Sequence, residues 1–218
     1  GMTKHCQELV KLLYSNLVKK VVVTSNVETA ELTKIYENTY RAVNIGLVNE
    51  MKVMCDKLGI NIYEVIKAAS TKPFGFTAFQ PGPGFGGHCI PIDPFYLSWK
   101  VKKYGIKSNF INAAGEINHK MPLWIVNKVL KEIKKRKIKN KNILLIGVSY
   151  KKNISDTRES PAVELMNIFE KKGYKVDYHD PYVKLLKNLR KLKISKMSKN
   201  LDINLRKYGC ILLVTDHD

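Results

Sequence analysis

From Glu28 to Leu58 the apolar residues Leu32, Ile35, Val43, Leu47, Met51, Met54 and Leu58 return at helical spacing. About 30 residues at 1.5 Å each make a rod of roughly 45 Å, long for a globular protein. A helix of this length spans between domains or forms a dimer seam. Gly59 follows as a C′ residue. Asn61 then caps a second helix over Ile62 to Ala69.

The rest of the chain falls around this rod. Thr3 to Leu17 reads as an amphipathic helix, and Lys20 to Thr24 as a short Val-rich strand. A helix and strand with nothing before them look like the tail of an α/β domain. Asp93-Pro94 makes an N-cap and N1 pair for a helix through Tyr104, closed by Gly105. A further helical stretch runs from Asn109 to Arg136, where Pro122 is expected to kink or split it. Ile143 to Ile146 reads as a buried parallel strand followed by Gly147. Ser160-Pro161 opens a helix through Lys172, and Tyr174 to Tyr178 and Ile211 to Val214 are further strands. Strand, helix, strand at this spacing is a βαβ unit. The expected fold class is α/β: an all-helical central domain with a long helix, which the family resemblance given below implies is a dimerisation domain, then a partial Rossmann-like parallel α/β domain. Three parts are expected: 1–25, the tail of a first domain; 26–136, the helical centre; 137–218, the α/β part.

Cys89 is where chemistry is expected. It stands in Gly84-Phe85-Gly86-Gly87-His88-Cys89-Ile90-Pro91-Ile92-Asp93-Pro94, and four of the six residues from Pro83 to His88 are Pro or Gly. Glycine lets backbone approach a ligand closely, and proline removes slack. Most free cysteines are small buried hydrophobes. This one closes a stretch of about 17 residues with no helical or strand period, and loops of that length in compact domains are functional or disordered. Phe74, Phe76 and Phe79 argue against disorder.

Lys34 and Asn38 are four apart on the long helix and share a face, with Arg41 on the same stripe. Two readings stand: a solvated helix face, or a cation and an amide aimed at a developing oxyanion. Asp93 has two readings as well, the N-cap above or a carboxylate that handles a proton. His88 adjoins Cys89, but neighbours in extended backbone point in opposite directions, against direct pairing. Lys151 and Arg158 lie after a strand, where α/β sheets bind ligands, and either could hold a phosphate. The run Asp156-Thr157-Arg158-Glu159-Ser160-Pro161 opens a helix, whose N-terminus favours anions.

The net charge is +19, from 38 Lys+Arg against 19 Asp+Glu. The excess gathers at Lys131 to Lys141 and Lys184 to Lys207, without the interleaved aromatics that stack on bases. A solvated surface is favoured over nucleic-acid binding, and a small anionic partner such as a nucleotide remains compatible. Cys6, Cys55, Cys89 and Cys210 lack C-x-x-C spacing, against a zinc site or a disulfide framework and in keeping with a reducing cytoplasm. No apolar run reaches about 18 residues, so no transmembrane helix is expected.

The motifs Glu31-Leu32-Thr33-Lys34 with Asn38, Gly84 to Asp93, and Gly147-Val148-Ser149-Tyr150-Lys151 with Thr157-Arg158-Glu159-Ser160 occur in order. Together they resemble the UDP-sugar and GDP-mannose 6-dehydrogenases along nearly the whole chain. The string from Pro81 to Lys100 looks most like the branch that oxidises UDP-N-acetylglucosamine, because Ile92 stands where relatives acting on UDP-glucose tend to have Lys. The resemblance implies a two-step, NAD-dependent oxidation at C6 of a UDP-N-acetylhexosamine. Cys89 would be the nucleophile, Lys34 and Asn38 would hold its oxyanions, and Asp93 would share proton handling with Lys34. Phe85, Gly86, Gly87 and Lys151 would contact the sugar nucleotide, and Arg158 would reach NAD. It implies a cytoplasmic homodimer or higher homo-oligomer, with no nucleic acid and no membrane. Family members begin with an NAD-binding Rossmann domain, whereas this chain starts at what would be its last helix and strand. No G-x-G-x-x-G follows a strand here, the Gly82 to Gly87 string lying in the Pro-rich loop, so the 218 residues are expected to be a fragment, inactive alone. A non-catalytic sugar-nucleotide binding or dimerisation module, a nucleic-acid binder and a Cys89–His88 thiol hydrolase are the competing readings.

Overall fold

The computed structural model describes residues 1–186, 196–200 and 205–218, so part of the second lysine-rich stretch lies outside the described residues. Five helices precede the first strand: α1 (Lys4–Ser15), α2 (Val27–Leu58), α3 (Ile62–Ala69), α4 (Asp93–Lys102) and α5 (Asn109–Lys135). Then come β1 (Asn142–Ile146), α6 (Pro161–Lys171), β2 (Lys175–His179), β3 (Leu185–Leu186), β4 (Lys196–Met197) and β5 (Cys210–Leu213). The mixture of helices with a parallel sheet is the α/β class that the sequence leads one to expect.

The long rod is α2, 32 residues without interruption. Asn26 caps its start by accepting the Thr29 N–H at 2.7 Å. Gly59 ends it at φ 72, and its N–H returns to the Cys55 carbonyl. That conformation is cheap only for glycine. Asn61 accepts the Tyr63 N–H at 3.1 Å and starts α3, as expected.

α5 crosses α2 where Gly46 removes the side chain. A Cβ there would stand 3.0 Å from the Ala114 Cα, so the two backbones nearly touch. Beside that crossing, Asn49 donates to the Asn118 side-chain oxygen at 2.9 Å, and both amides are buried. α5 runs unbroken through Pro122, so the expected split does not occur. Proline removes the N–H that would bond the Asn118 carbonyl. A Cβ at Gly84 would lie 3.0 Å from that same oxygen, so the glycine loop packs directly on the gap.

The far half of α5 belongs to another core. Val126 is buried with Ile143, Leu145, Val163, Met166, Phe169, Val176 and Tyr178, and Ile125, Val129 and Leu130 pack against them. The sheet order is β2-β1-β5, all parallel, with Ile143 opposite both Val176 and Cys210. Its first strand is central, so the chain leaves β1 for opposite sides. That reversal opens a crevice at the carboxyl ends of the strands.

Two further expectations fail. Lys20 to Thr24 forms no strand, because among the described residues no other segment runs beside it to complete a ladder. Asp93 is not the N-cap of α4; that position is Ile92, with no side-chain cap. Its carboxylate is taken by a helix from elsewhere in the chain, as follows. α1 has no buried residue, and Leu9, Leu12, Leu13 and Leu17 stand exposed. No helix is long and apolar enough to cross a membrane, among the described residues.

Candidate functional site

The glycine loop is tied down at three points. At its start, the Gly82 N–H donates to the buried Asn49 side chain at 2.9 Å. In its middle, the Gly87 N–H donates to the Arg158 carbonyl at 2.9 Å. At its end, the Cys89 carbonyl accepts the N–H groups of Ile92 at 3.1 Å and Asp93 at 2.8 Å, and so begins the first turn of α4. Between these ties Gly87 is buried while His88 and Cys89 are exposed. The loop therefore presents a thiol on a fixed frame.

Asn38 and Asp93, 55 residues apart, are brought together. Asn38 Nδ2 donates to Asp93 Oδ2 at 2.9 Å, and Asn38 is 2 % exposed. The bond joins α2 to the first turn of α4, which is why the Asp93 side chain is not spent on capping. A buried amide must be paired, and a carboxylate is a strong acceptor for it.

Lys34 is placed differently. Its ammonium is exposed and pairs with Glu37 at 3.1 Å. Arg41 grips the same carboxylate from the other side. Hydrogen bonds from Lys34 and then Arg41 hold Glu37 below the usual carboxylate range. The sequence reading passed over Glu37, although an acid midway between two cations on one helix face is a signal for it. Lys34 and Asn38 thus share α2 but not an environment: one is in solvent, the other in the interior.

The remaining candidates gather around the loop between β1 and α6. Tyr150 lies over Gly86 and Gly87, where added Cβ atoms would come within 2.8 Å and 2.9 Å of its side chain. Arg158 is exposed, and its guanidinium is held by the Asp156 carboxylate through Nε at 3.0 Å and Nη2 at 2.6 Å. The Asp156 hydrogen bond raises the Arg158 pKa, with smaller electrostatic contributions from Tyr150 and Cys89. The Arg158 carbonyl, bonded to the Gly87 N–H, brings this residue beside the loop two positions before Cys89. Lys151 projects into solvent. The Phe85 ring is enclosed by Phe95 at 6.4 Å and His119 at 6.3 Å between ring centres, so it serves packing first. A cleft of about 370 Å³ lies between this loop and α5, bounded by Gly84, Asn118, Glu159 and Pro161.

A second buried polar cluster supports the same region. Asp180 accepts the N–H groups of Val148 at 2.7 Å, Ser149 at 3.1 Å, Tyr182 at 2.9 Å and Val183 at 3.0 Å. Burial alone would push this carboxyl up, but the backbone donors, with His217, together hold it below its ordinary value. His217 Nδ1 accepts the Asn153 N–H at 2.9 Å, which leaves Nε2 protonated and facing Asp180 at 3.1 Å. Ser149 Oγ lies 3.3 Å from that nitrogen and donates to the Lys151 carbonyl. A protonated Nε2 cannot take a proton from Ser149, so this Ser-His-Asp trio is a brace and not a hydrolytic triad. Among the described residues no group of acidic, His or Cys side chains could hold a metal ion.

Residues 28–120 match the central domain of the UDP-glucose/GDP-mannose dehydrogenase family, and residues 144–218 match its UDP binding domain. A UDP-N-acetyl-D-mannosamine dehydrogenase of Methanococcus maripaludis is 37% identical over all of this chain and 48% of its own length. An NDP-N-acetyl-D-galactosaminuronic acid dehydrogenase of Ralstonia nicotianae is 35% identical over 85% of this chain and 43% of its own. The solved structure of a UDP-D-ManNAc dehydrogenase from Pyrococcus horikoshii superposes with a TM-score of 0.84 at 32% identity, over 98% of this chain and 48% of that one. The chain thus spans about half the length of the curated relatives it matches. Two models of one family, in order along the sequence and the first of them spanning the loop that carries Cys89, establish that this chain belongs to the UDP-glucose/GDP-mannose dehydrogenase family.

Proposed function

We propose that these residues belong to an enzyme that oxidises the C6 hydroxyl of a UDP-N-acetylhexosamine to the carboxylate, with Cys89 as the nucleophile. The observation that carries this reading is the Asn38–Asp93 hydrogen bond. It fastens the long helix to the turn that begins at the Cys89 carbonyl. The names of the relatives favour UDP-N-acetylmannosamine over the UDP-N-acetylglucosamine that the loop sequence suggests. The division of the chain at about residues 25 and 136 goes with this reading. Residues 1–25 close a cofactor domain, 26–136 form the helical centre, and 137–218 form a partial Rossmann-like unit for the UDP group.

NAD, when bound, supplies the hydride acceptor for both oxidations, and Arg158, exposed and beside the Cys89 loop, is the residue of this chain that would meet it. The first oxidation turns the C6 alcohol into an aldehyde. The Cys89 thiolate adds to that carbonyl, forming a C–S bond and an oxyanion. Lys34 turns from Glu37, as an exposed pair readily permits, and stabilises the oxygen, while the second Nδ2 hydrogen of Asn38, the one not given to Asp93, is the amide donor toward it. Loss of the second hydride leaves a thioester. Water, oriented by Asp93, cleaves the C–S bond, which releases the carboxylate and regenerates the thiol. The sugar lies along the glycine loop on its exposed side, which Gly86, Gly87 and Phe85 shape from beneath, and Lys151 answers the charge of the nucleotide. The exposed α2 residues Leu32, Leu47, Met51 and Met54 form the seam of a homodimer. The enzyme works in the cytoplasm, without nucleic acid or membrane.

The test is uronate formation by the natural-length protein given NAD with UDP-N-acetylmannosamine or UDP-N-acetylglucosamine, read by mass spectrometry. Cys89→Ala should lower the rate by about 10³-fold or more, as removal of a covalent nucleophile does. Unchanged turnover in that variant would sink the reading. Preference for the glucosamine substrate would reverse the choice of hexosamine alone.

A further inference from the structure

The thiol is carried by the helical unit, yet the constraints on the middle of its loop come from the α/β unit. Gly87 has φ +87, and a Cβ there would stand 2.9 Å from Cε2 and 3.0 Å from Cζ of the Tyr150 ring. A Cβ at Gly86 would meet Tyr150 Cβ at 2.8 Å, the Glu159 carbonyl at 2.9 Å and Pro161 Cδ at 3.0 Å. These two glycines are therefore in face contact with the β1–α6 loop. The buried Gly87 N–H is bonded to the Arg158 carbonyl in the same loop.

That loop is itself held in one shape. The Tyr150 N–H donates to the Asp156 carbonyl at 3.0 Å. The Asp156 carboxylate accepts the Arg158 N–H at 2.9 Å and its guanidinium. Glu159 holds left-handed backbone at φ 47, which residues other than Gly and Asn seldom adopt unless their surroundings enforce it. At its root, Val148 and Ser149 are pinned by the buried Asp180. A flat ring on a rigid loop thus presses on the two residues that lead into His88 and Cys89.

We propose that Tyr150 and Asp156 are positioning residues for Cys89. The Tyr150 ring clamps the Gly86–Gly87 step, and Asp156 holds the β1–α6 loop so that the Arg158 carbonyl meets the Gly87 N–H. The α/β unit then shares with the helical unit, which ties the two ends of the loop, in setting where the sulfur stands. Its catalytic consequence rests on the reading of Cys89 as nucleophile; the clamp itself does not.

Amide hydrogen exchange over residues 84–92 of this chain, with β1 as the folding control, tests the clamp. Tyr150→Ala should speed exchange there by about tenfold or more, because local opening no longer breaks a packed contact. Tyr150→Phe should stay within about twofold of the parent, since the ring face and not the hydroxyl makes the contact. Asp156→Asn should give an intermediate increase. Iodoacetamide labelling of Cys89, with the exposed Cys6 as internal standard, should change with Tyr150→Ala and be restored by Tyr150→Phe. Should Tyr150→Ala unfold β1, Tyr150→Leu, which fills the volume without the flat face, carries the same tenfold criterion. Exchange within twofold of the parent in the Ala or Leu variant overturns the proposal. So does a Phe variant as fast as Ala. Neither readout uses turnover, so a protein that formed no uronate would leave this test intact.

Discussion

In the α/β unit, Ile143, Leu144, Leu145, Met166, Phe169, Val176 and Tyr178 are all 0% exposed. The helical unit has no such block. Its buried cluster is Val48, Cys55, Ile62 and Ile66, and the α2–α5 crossing is filled by Gly46, Asn49, Ala114 and Asn118. Meanwhile Leu32, Tyr36, Leu47, Trp99 and Phe110 face outward. Hydrophobic burial is non-directional, whereas a buried amide pair tolerates only one geometry. The α/β unit therefore draws its stability from a dense apolar core that α5 helps to complete. The helical unit draws register from amides and leaves apolar surface exposed.

This contrast can be broken by substitution, beginning where the effect should be largest. Phe169→Ala should cost about 3–5 kcal/mol in urea unfolding, as truncation of a fully buried aromatic does. A cost below about 1 kcal/mol would mean that the α/β core does not carry the unit. Asp180→Asn should cost about 3 kcal/mol, because an amide cannot accept from four backbone donors and His217 as a carboxylate does. The same residue gives a pH signature. Its folded pKa lies below the ordinary 3.8, so its contribution is present above that value and lost as pH falls through the folded one. Urea midpoints followed downward from pH 5 should fall more steeply in the parent than in Asp180→Asn; parallel curves would count against it.

The helical unit should respond differently. Asn118→Ala should cost about 1–3 kcal/mol, by leaving the Asn49 amide without its acceptor. It should also quicken amide exchange at Gly82, which Asn49 holds. Leu47→Ala, on the exposed face, should change monomer stability by less than about 0.5 kcal/mol. Sedimentation should nevertheless show weaker self-association in this variant, and an unchanged association constant would remove α2 from the proposed seam.

Much of the fold was legible from local chemistry. The 3.6-residue period marked α2, and Gly59 and Asn61 marked its end and the start of α3. Ser160-Pro161 announced α6, where the Ser160 hydroxyl accepts the Ala162 N–H at 3.3 Å and donates to the Val148 carbonyl at 2.8 Å. Misreadings arose where a distant partner overrode a local rule. Asp93 carries good capping chemistry, but Asn38 claims its carboxylate. Val21 to Val23 have strand propensity, but propensity makes no strand without a neighbouring ladder. Pro122 breaks one hydrogen bond, yet α5 continues because both of its halves are packed, on α2 and on the α/β core.

The site was legible to a different degree. Cys89, its glycines and the Lys34–Asn38 spacing were visible because each is a short pattern with its own physical meaning. Which of them meet was not visible. Asn38 reaches across 55 residues to Asp93, Asn49 across 69 to Asn118, and Asp180 across 32 to Val148. The sequence alone determined that a thiol would sit in a stiff glycine loop between a long helix and a parallel α/β unit. Tertiary structure decided what holds that thiol: Asn49 at the start of the loop, Tyr150 and the Arg158 carbonyl in its middle, Asp93 with Asn38 at its end. The physical reason is range. Periodicity and capping act within a few residues, while these contacts exist only after the chain has closed loops whose ends carry no mark of one another.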